Sequence, residues 1–236
     1  MATTLPLPPG PYQDRALVTV HGINSDNTGL GNVSRYCKQR LPGLLVENIY
    51  FGRVLPFKEL TPVIQDLVVS HIRDRLDLFE RDFLRAAKRK LFILAHSFGT
   101  IATVRALEQH LPHVCVTGLL LVGSVVRRNY SWDTLITRGT LADPPVAVVR
   151  PFDRIVQGAA IVRGGPSGAK GFIPQGVFQA RETFKDGGHI AYDPDDGDDV
   201  ATMIDNGIGA VPEVTRDQWY SRLGRLARLR LLLRFP

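Results

Sequence analysis

The segment L-F-I-L-A-H-S-F-G-T at residues 91–100 constrains the fold more than any other part of the chain. Its uninterrupted apolar run predicts a short strand over 91–95 that is buried on both faces of a parallel sheet. The residues that follow, 100–111, have the apolar spacing of a helix, and Pro112 ends it. A buried strand therefore passes into a helix within a few residues.

Ser97 lies at the centre of this strand-to-helix turn, in A-H-S-F-G. The residues two before and two after it, Ala95 and Gly99, are small enough to allow a very tight turn. Such a turn holds its central residue in a strained conformation and exposes the hydroxyl above the strand ends. Ser97 is therefore a candidate nucleophile. The alternative is a serine that only caps the following helix.

Strand-like and helix-like segments alternate along the rest of the chain, which predicts βαβ units and a mostly parallel sheet of about six strands with helices on both faces. Helices are predicted at 63–89, as one long helix or two, and at 100–111. Strands are predicted at 15–20, 47–54, 91–95, 114–124, 145–151 and 176–184. We interpret 15–236 as a single α/β domain preceded by an extended N-terminal arm at 1–14.

A second motif follows the first predicted strand, in V-T-V-H-G-I-N at 18–24. The His21-Gly22 pair stands where that strand ends. Gly22 allows another part of the backbone to approach closely, and we expect His21 to brace the loop. The alternative is an ordinary glycine turn.

With these motifs in this order, the chain resembles the α/β-hydrolase superfamily. The His-Gly loop and the A-H-S-F-G turn, the superfamily's nucleophile elbow, look like those of small bacterial lipases and related serine esterases. Two features depart from the usual pattern. The elbow begins with Ala95 where Gly is usual, and only fourteen residues precede the first strand. The resemblance therefore implies an α/β-hydrolase fold with a trimmed N-terminus and no large cap, with short lids expected at 55–65 and 125–145.

The resemblance implies a catalytic triad whose members follow the order Ser, acid, His along the chain. His189, in a glycine-bearing loop after the last predicted strand, is the expected base, since His110 and His113 fall at the end of the helix after the elbow. Asp153 follows the strand at 145–151 and is the expected acid. Asp143 and Asp133 remain alternatives for the acid. The alternative for His189 is an ordinary loop histidine. The alternative for Asp153 is a solvated loop carboxylate.

The oxyanion of such an enzyme needs two N–H donors, which the resemblance assigns to the backbones of Ile23 and Phe98. His21, Gly22 and His96 are supporting residues. The implied function is a serine hydrolase that cleaves carboxylic esters, with lipid esters and thioesters included, through an acyl-enzyme. This reaction requires no metal or organic cofactor. The acidic run at 193–199 misses the D-x-D-x-D-G spacing of a calcium loop and is interpreted as a solvated turn, with a Ca²⁺ site as the alternative. The alternative function is a non-catalytic binding scaffold with the same fold.

Composition adds weaker expectations. Cys37 and Cys115 have no CxxC or metal spacing, and the N-terminus lacks the pattern of a signal peptide, which favours a reducing, cytoplasmic location. No apolar stretch is long enough to span a membrane. The net charge of +6 comes with no recognised nucleic-acid motif, so no nucleic-acid partner is expected.

The C-terminal segment 216–235 combines arginines with leucines at helical spacing. This pattern predicts a basic amphipathic helix. Such a helix can lie peripherally on an anionic membrane, although it more often packs its leucines on the sheet. The Gly- and Pro-rich segment at 157–176 is predicted to be a long loop, which either covers the site or is simply mobile.

Overall fold

In the computed structural model of the protein, the described residues contain one six-stranded sheet in which all neighbouring strands are parallel. The strand order is β2-β1-β3-β4-β5-β6. The strands are β1 (Arg15–Val20), β2 (Leu45–Ile49), β3 (Lys90–His96), β4 (Val116–Val122), β5 (Val146–Val149) and β6 (Arg181–Phe184). The described residues are 10–22, 28–51, 61–84, 89–109, 114–157, 165–173, 181–185, 194–214 and 218.

Helices cover both faces of the sheet. On one face, α2 (Pro62–Phe79) and α3 (Phe98–Glu108) bury the larger hydrophobic core. On the other face, α1 (Thr28–Arg40) and α7 (Pro194–Asn206) bury the second core. This two-sided burial explains why β3 is a continuous apolar run without polar alternation.

The helix α2 begins where its sequence predicts a start. Thr61 precedes it, and its hydroxyl accepts a hydrogen bond from the N–H of Ile64 at 3.4 Å. Pro62 occupies the first helical position, where its missing N–H costs nothing. The predicted helix at 63–89 is observed as α2 followed by one π-helical turn, Glu80–Leu84.

The strand order places a topological switch point between β1 and β3. The chain leaves β1 toward β2 on one side and then returns to form β3 on the other side. In open parallel sheets, ligands bind in the crevice at the carboxyl ends of such strands. The two sequence motifs stand at this place, since Gly22 follows β1 and Ser97 follows β3.

The predicted elements are largely confirmed. The strand predicted at 15–20 is β1 with the same bounds, and the other five predicted strands each overlap an observed one, although the strand predicted at 47–54 shares only residues 47–49 with β2. For the last of these, 176–184, only the part from Arg181 lies within the described residues. The helix predicted at 100–111 is α3, which begins two residues earlier.

The prediction for the acidic run at 193–199 was wrong, because most of this run is the first half of α7. Pro at the first helical position and acidic residues in the first turn both favour a helix N-terminus. The helix α1 was not predicted. Its apolar residues Leu30, Val33 and Cys37 are buried at helical spacing among polar residues and glycines.

Part of the segment predicted as a long loop, residues 165–173, is a fixed strap across the ends of β4 and β5. It contains a short helix, α6 (Ser167–Lys170). The N–H of Gly168 donates to the Ser124 carbonyl, and the Gly168 carbonyl accepts from the N–H of Arg150, both at 2.7 Å. Ser167 Oγ also donates to Ser124 Oγ at 2.9 Å. These hydrogen bonds tie the strap to the residues that follow β4 and β5.

Two other expectations are modified within the described residues. Residues 11–14 of the predicted extended arm form a turn, in which the Tyr12 side chain packs against the second core. In the segment 125–145, predicted to be a short lid, a short helix α4 (Asp133–Thr137) follows Trp132, and both Trp132 and Leu135 are buried in the first core.

Three expectations cannot be compared with the structure. The residues outside the described part of the chain are 55–60 of the other predicted lid at 55–65, 1–9 of the arm, and the C-terminal segment 216–235 except residue 218. Among the helices that are described, none has the length and apolar character needed to cross a bilayer.

The strap gives a stability prediction. A Cβ added at Gly168 would lie 2.2 Å from the Ser124 nitrogen, so Gly168→Ala must displace backbone and is expected to lower the free energy of unfolding by about 2 kcal/mol or more. The matched control is Gly31→Ala in α1, where a Cβ meets nothing within 4 Å. In that variant the free energy of unfolding is expected to rise by about 0.5–1 kcal/mol. Urea denaturation measures the free energy of unfolding of both variants. A Gly168→Ala variant as stable as wild type would contradict the close contact between the strap and Ser124.

Candidate active site

The backbone of Ser97 is held in a conformation that L-residues rarely adopt. Its φ is +53° and its ψ is −128°, and among the described residues it is the one non-glycine with a positive φ. It stands between the last residue of β3, the buried His96, and the first residue of α3, Phe98. Its N–H donates to the carbonyl of Val122 in β4 at 3.0 Å. Such strain costs about 1–3 kcal/mol and is concentrated at functional sites.

The small residues around Ser97 have the steric role that their spacing predicts. A Cβ at Gly99 would lie 2.4 Å from the His21 carbonyl oxygen and 2.8 Å from that of Val20. The first turn of α3 therefore touches the end of β1. Ala95 is fully buried and lies opposite Val20 in the sheet register. An alanine at the start of the elbow is thus accommodated in the core.

Thr100, which lies just outside the A-H-S-F-G motif, stabilises the turn. Its hydroxyl donates to the Ser97 carbonyl oxygen at 2.6 Å and accepts from the N–H of Val125 at 3.1 Å. It therefore ties the elbow to the loop after β4. The available sequence signal was a threonine three residues after Ser97 at a helix start, where its hydroxyl can bond to the i−3 carbonyl.

Gly22 lies directly against the serine side chain. A Cβ at this position would be 2.6 Å from Ser97 Cβ and 3.1 Å from Ser97 Oγ. The loop after β1 can approach so closely only because Gly22 has no side chain. Ile23, the next residue, lies outside the described residues. Phe98 is the first residue of α3, and the first N–H groups of a helix have no intrahelical acceptor.

His21 is completely buried behind this loop. Its Nδ1 lies 2.5 Å from the Gly22 carbonyl oxygen, and its Nε2 accepts from the N–H of Phe51 at 3.0 Å. Only the neutral ring with its proton on Nδ1 satisfies both contacts. The ring also stacks on Phe51 with centroids 4.0 Å apart. Burial lowers the pKa of His21, which favours this neutral form.

Asp153 is buried just beyond the end of β5, with 1% of its surface exposed. Its Oδ1 accepts from the N–H groups of Ile155 at 3.1 Å and Val156 at 3.0 Å, in the four-residue helix α5 (Arg154–Gln157). The two alternative acids differ. Asp143 is exposed ahead of β5, and Asp133 begins α4, where Ser131 Oγ donates to it at 3.1 Å.

His189 lies outside the described residues, so the structure gives no distance between it and Ser97 or Asp153. The sheet still relates their origins in the chain. β5 and β6 are parallel neighbours, so their carboxyl ends lie side by side, and His189 is the fifth residue after Phe184, which ends β6. In the described part of the chain, no group of three His, Cys, Asp or Glu side chains is arranged to hold a metal ion.

No protein-family model matches the chain, and no curated protein matches it. Solved structures do match. TT1662 from Thermus thermophilus is 15% identical, with a TM-score of 0.56 over 86% of this chain and 92% of that one. Esterase PE8 is 14% identical, with a TM-score of 0.54 over 82% and 92%. An esterase from Pyrobaculum calidifontis is 13% identical, with a TM-score of 0.50 over 84% and 77%.

These similarities agree with the six-stranded parallel sheet and the helices around it. The chain therefore has the α/β-hydrolase fold, as its motifs predicted. At these identities the comparisons establish the fold alone.

The buried neutral His21 gives a pH prediction. Because its pKa is lowered in the folded protein, the unfolded chain takes up the proton first as the pH falls below about 6.5. Its contribution to the free energy of unfolding is therefore full above that pH and declines below it. His21→Asn removes the titrating ring, so its free energy of unfolding is expected to fall less than that of wild type between neutral and mildly acidic pH. Denaturant unfolding at the two pH values measures this difference.

The matched control is His71→Asn, since His71 is an exposed histidine on α2. It is expected to change the stability by less than about 0.5 kcal/mol at either pH. An identical pH dependence in wild type and His21→Asn would contradict the neutral, doubly bonded ring.

Proposed function

We propose that the protein is a serine hydrolase that cleaves carboxylic esters through an acyl-enzyme. The observation that carries the proposal is the strained left-handed backbone of Ser97 at the switch point of the sheet, with Gly22 pressed against its side chain. A serine that merely capped α3 would need no such strain, and Ser97 makes no side-chain capping hydrogen bond to that helix. Two of the similar structures are those of esterases, which supports the same reaction class.

In the first half of the proposed reaction, Ser97 Oγ attacks the ester carbonyl carbon while His189 takes the hydroxyl proton. Asp153 orients the histidine and stabilises its charged form. The carbonyl oxygen becomes an oxyanion, which the N–H groups of Phe98 and Ile23 stabilise. The C–O bond to the alcohol then breaks, and His189 returns the proton to the leaving alkoxide.

In the second half, water attacks the acyl-serine ester and His189 takes its proton. The new tetrahedral intermediate uses the same two N–H donors. Its collapse breaks the bond to Ser97 Oγ, the serine recovers its proton from His189, and the carboxylic acid leaves. Thioesters and lipid esters react by the same steps. The basic segment predicted at 216–235 extends the proposal to esters presented at an anionic membrane surface.

The nucleophile is tested by Ser97→Ala. This variant is expected to lose fluorophosphonate labelling and at least about 10⁴-fold in hydrolysis of p-nitrophenyl esters, because it removes the attacking oxygen. The His189→Ala variant is expected to lose labelling and hydrolytic activity to a comparable extent. The matched control, Ser131→Ala, removes an exposed hydroxyl outside the site and should be labelled like wild type.

The alternative function is a non-catalytic binding scaffold on the same fold. It predicts a folded wild-type protein that the fluorophosphonate does not label and that hydrolyses none of a series of esters of increasing chain length. Labelling that survives in Ser97→Ala would place the reactive group elsewhere and would also reject the proposal.

The acid is tested by three matched Asp→Asn variants. Asparagine can still accept the two N–H groups that Asp153 Oδ1 accepts in α5, so Asp153→Asn should keep the fold. It lacks the negative charge and is expected to lower kcat by about 10³–10⁴-fold. Asp143→Asn and Asp133→Asn are expected to remain within a few-fold of wild type. A large loss in either of these, with Asp153→Asn active, would move the acid to that residue.

A further inference from the structure

A surface cavity of about 260 Å³ lies between α3 and the loop that follows β4. Its described lining comes from one face of α3 and from the first residues after β4. None of the proposed catalytic residues lines it. The lining residues are Ile101, Val104, Arg105, Glu108, Val126, Arg127 and Tyr130.

The floor of this cavity is apolar. Ile101, Val104 and Val126 are all at least nine-tenths buried, and they belong to the core between α3 and the sheet. The packing of these three side chains fixes the shape of the floor without any ligand. An apolar group that entered would exchange contact with water for contact with aliphatic side chains, which is favourable in proportion to the area covered.

The rim carries more positive than negative charge. Arg105 and Arg127 contribute two guanidinium groups, and Glu108 contributes one carboxylate, which accepts from the hydroxyl of Tyr130 at 2.9 Å. Arg105 donates to the neutral amide oxygen of Gln65 at 3.2 Å. Over the described residues, neither guanidinium lies within ion-pair distance of a carboxylate. Among the lining residues, the positive charges therefore exceed the negative charges by one.

We propose that this cavity binds a small amphipathic carboxylate, with its apolar chain on the aliphatic floor and its carboxylate between Arg105 and Arg127. Guanidinium groups match carboxylates by paired, charge-assisted hydrogen bonds. A single negative charge balances the rim, whereas a cation would meet two like charges and a neutral alcohol would leave the excess in place. The site is separate from Ser97, so the proposal goes beyond the esterase reaction and does not depend on it.

Isothermal titration of the full-length protein with hexanoate tests the proposal. Hexanol and hexylammonium, which have the same chain with a neutral or a positive head, serve as the matched ligands. Hexanoate is expected to bind measurably at millimolar concentration, more tightly than either of the other two. The double variant Arg105→Gln/Arg127→Gln is expected to weaken hexanoate binding by about tenfold or more, because it removes both charged donors.

The control variant is Arg35→Gln. Arg35 is an exposed arginine on α1, on the opposite face of the sheet, and its replacement should leave the affinity for hexanoate unchanged.

If the double variant does not fold, the single variant Arg127→Gln provides the test, because the Arg127 side chain is exposed. This variant is expected to weaken hexanoate binding measurably. No binding by wild type, equal binding of hexanol, or an unchanged affinity in a folded arginine variant would overturn the proposal. Because binding is the readout, none of these outcomes bears on hydrolysis at Ser97.

Discussion

The register between β1 and β3 places Val20 opposite Ala95, so the residues that leave these two strands emerge at the same level of the sheet. The loop after β1 and the turn from β3 into α3 then lie so close together that a Cβ atom would not fit at the points of contact. Gly22 touches the side chain of Ser97, and Gly99 touches the carbonyl of His21. The candidate site depends on this crossing, because a Cβ at either glycine would push the loop after β1 away from the serine.

The contacts around the elbow are sufficient to hold its strain. Strain at one residue costs about 1–3 kcal/mol, and a typical hydrogen bond contributes about 0.5–1.5 kcal/mol. Three hydrogen bonds converge here: the Ser97 N–H to Val122, the Thr100 hydroxyl to Ser97, and the Val125 N–H to Thr100. Their sum is of the same size as the strain. The strap over the ends of β4 and β5 secures the Val125 loop in turn, because the Gly165 N–H donates to the Val125 carbonyl at 2.8 Å.

Local sequence signals predicted the sheet and the elbow because both are encoded within a few neighbouring residues. The strand at 15–20 is a short, mostly apolar segment followed by His21-Gly22, and the elbow needs only small residues at fixed spacing. The strap at 165–173 was not predictable, because its close contacts are with residues distant in the chain, such as that of Gly168 with Ser124 and that of Gly165 with Arg127. The first half of α7 was mistaken for a turn because proline and aspartate favour both turns and helix N-termini.

The candidate acid illustrates why position in the fold carries more information than residue type. Asp153, Asp143 and Asp133 are chemically equivalent in the sequence, yet the structure gives them different surroundings. Asp143 is exposed, whereas two backbone N–H groups and burial hold the Asp153 carboxylate at the carboxyl end of β5. A group that must orient an imidazole needs a fixed direction as well as its negative charge. Because β6 is the parallel neighbour of β5, the chain that leaves β6 toward His189 starts from the same edge of the sheet.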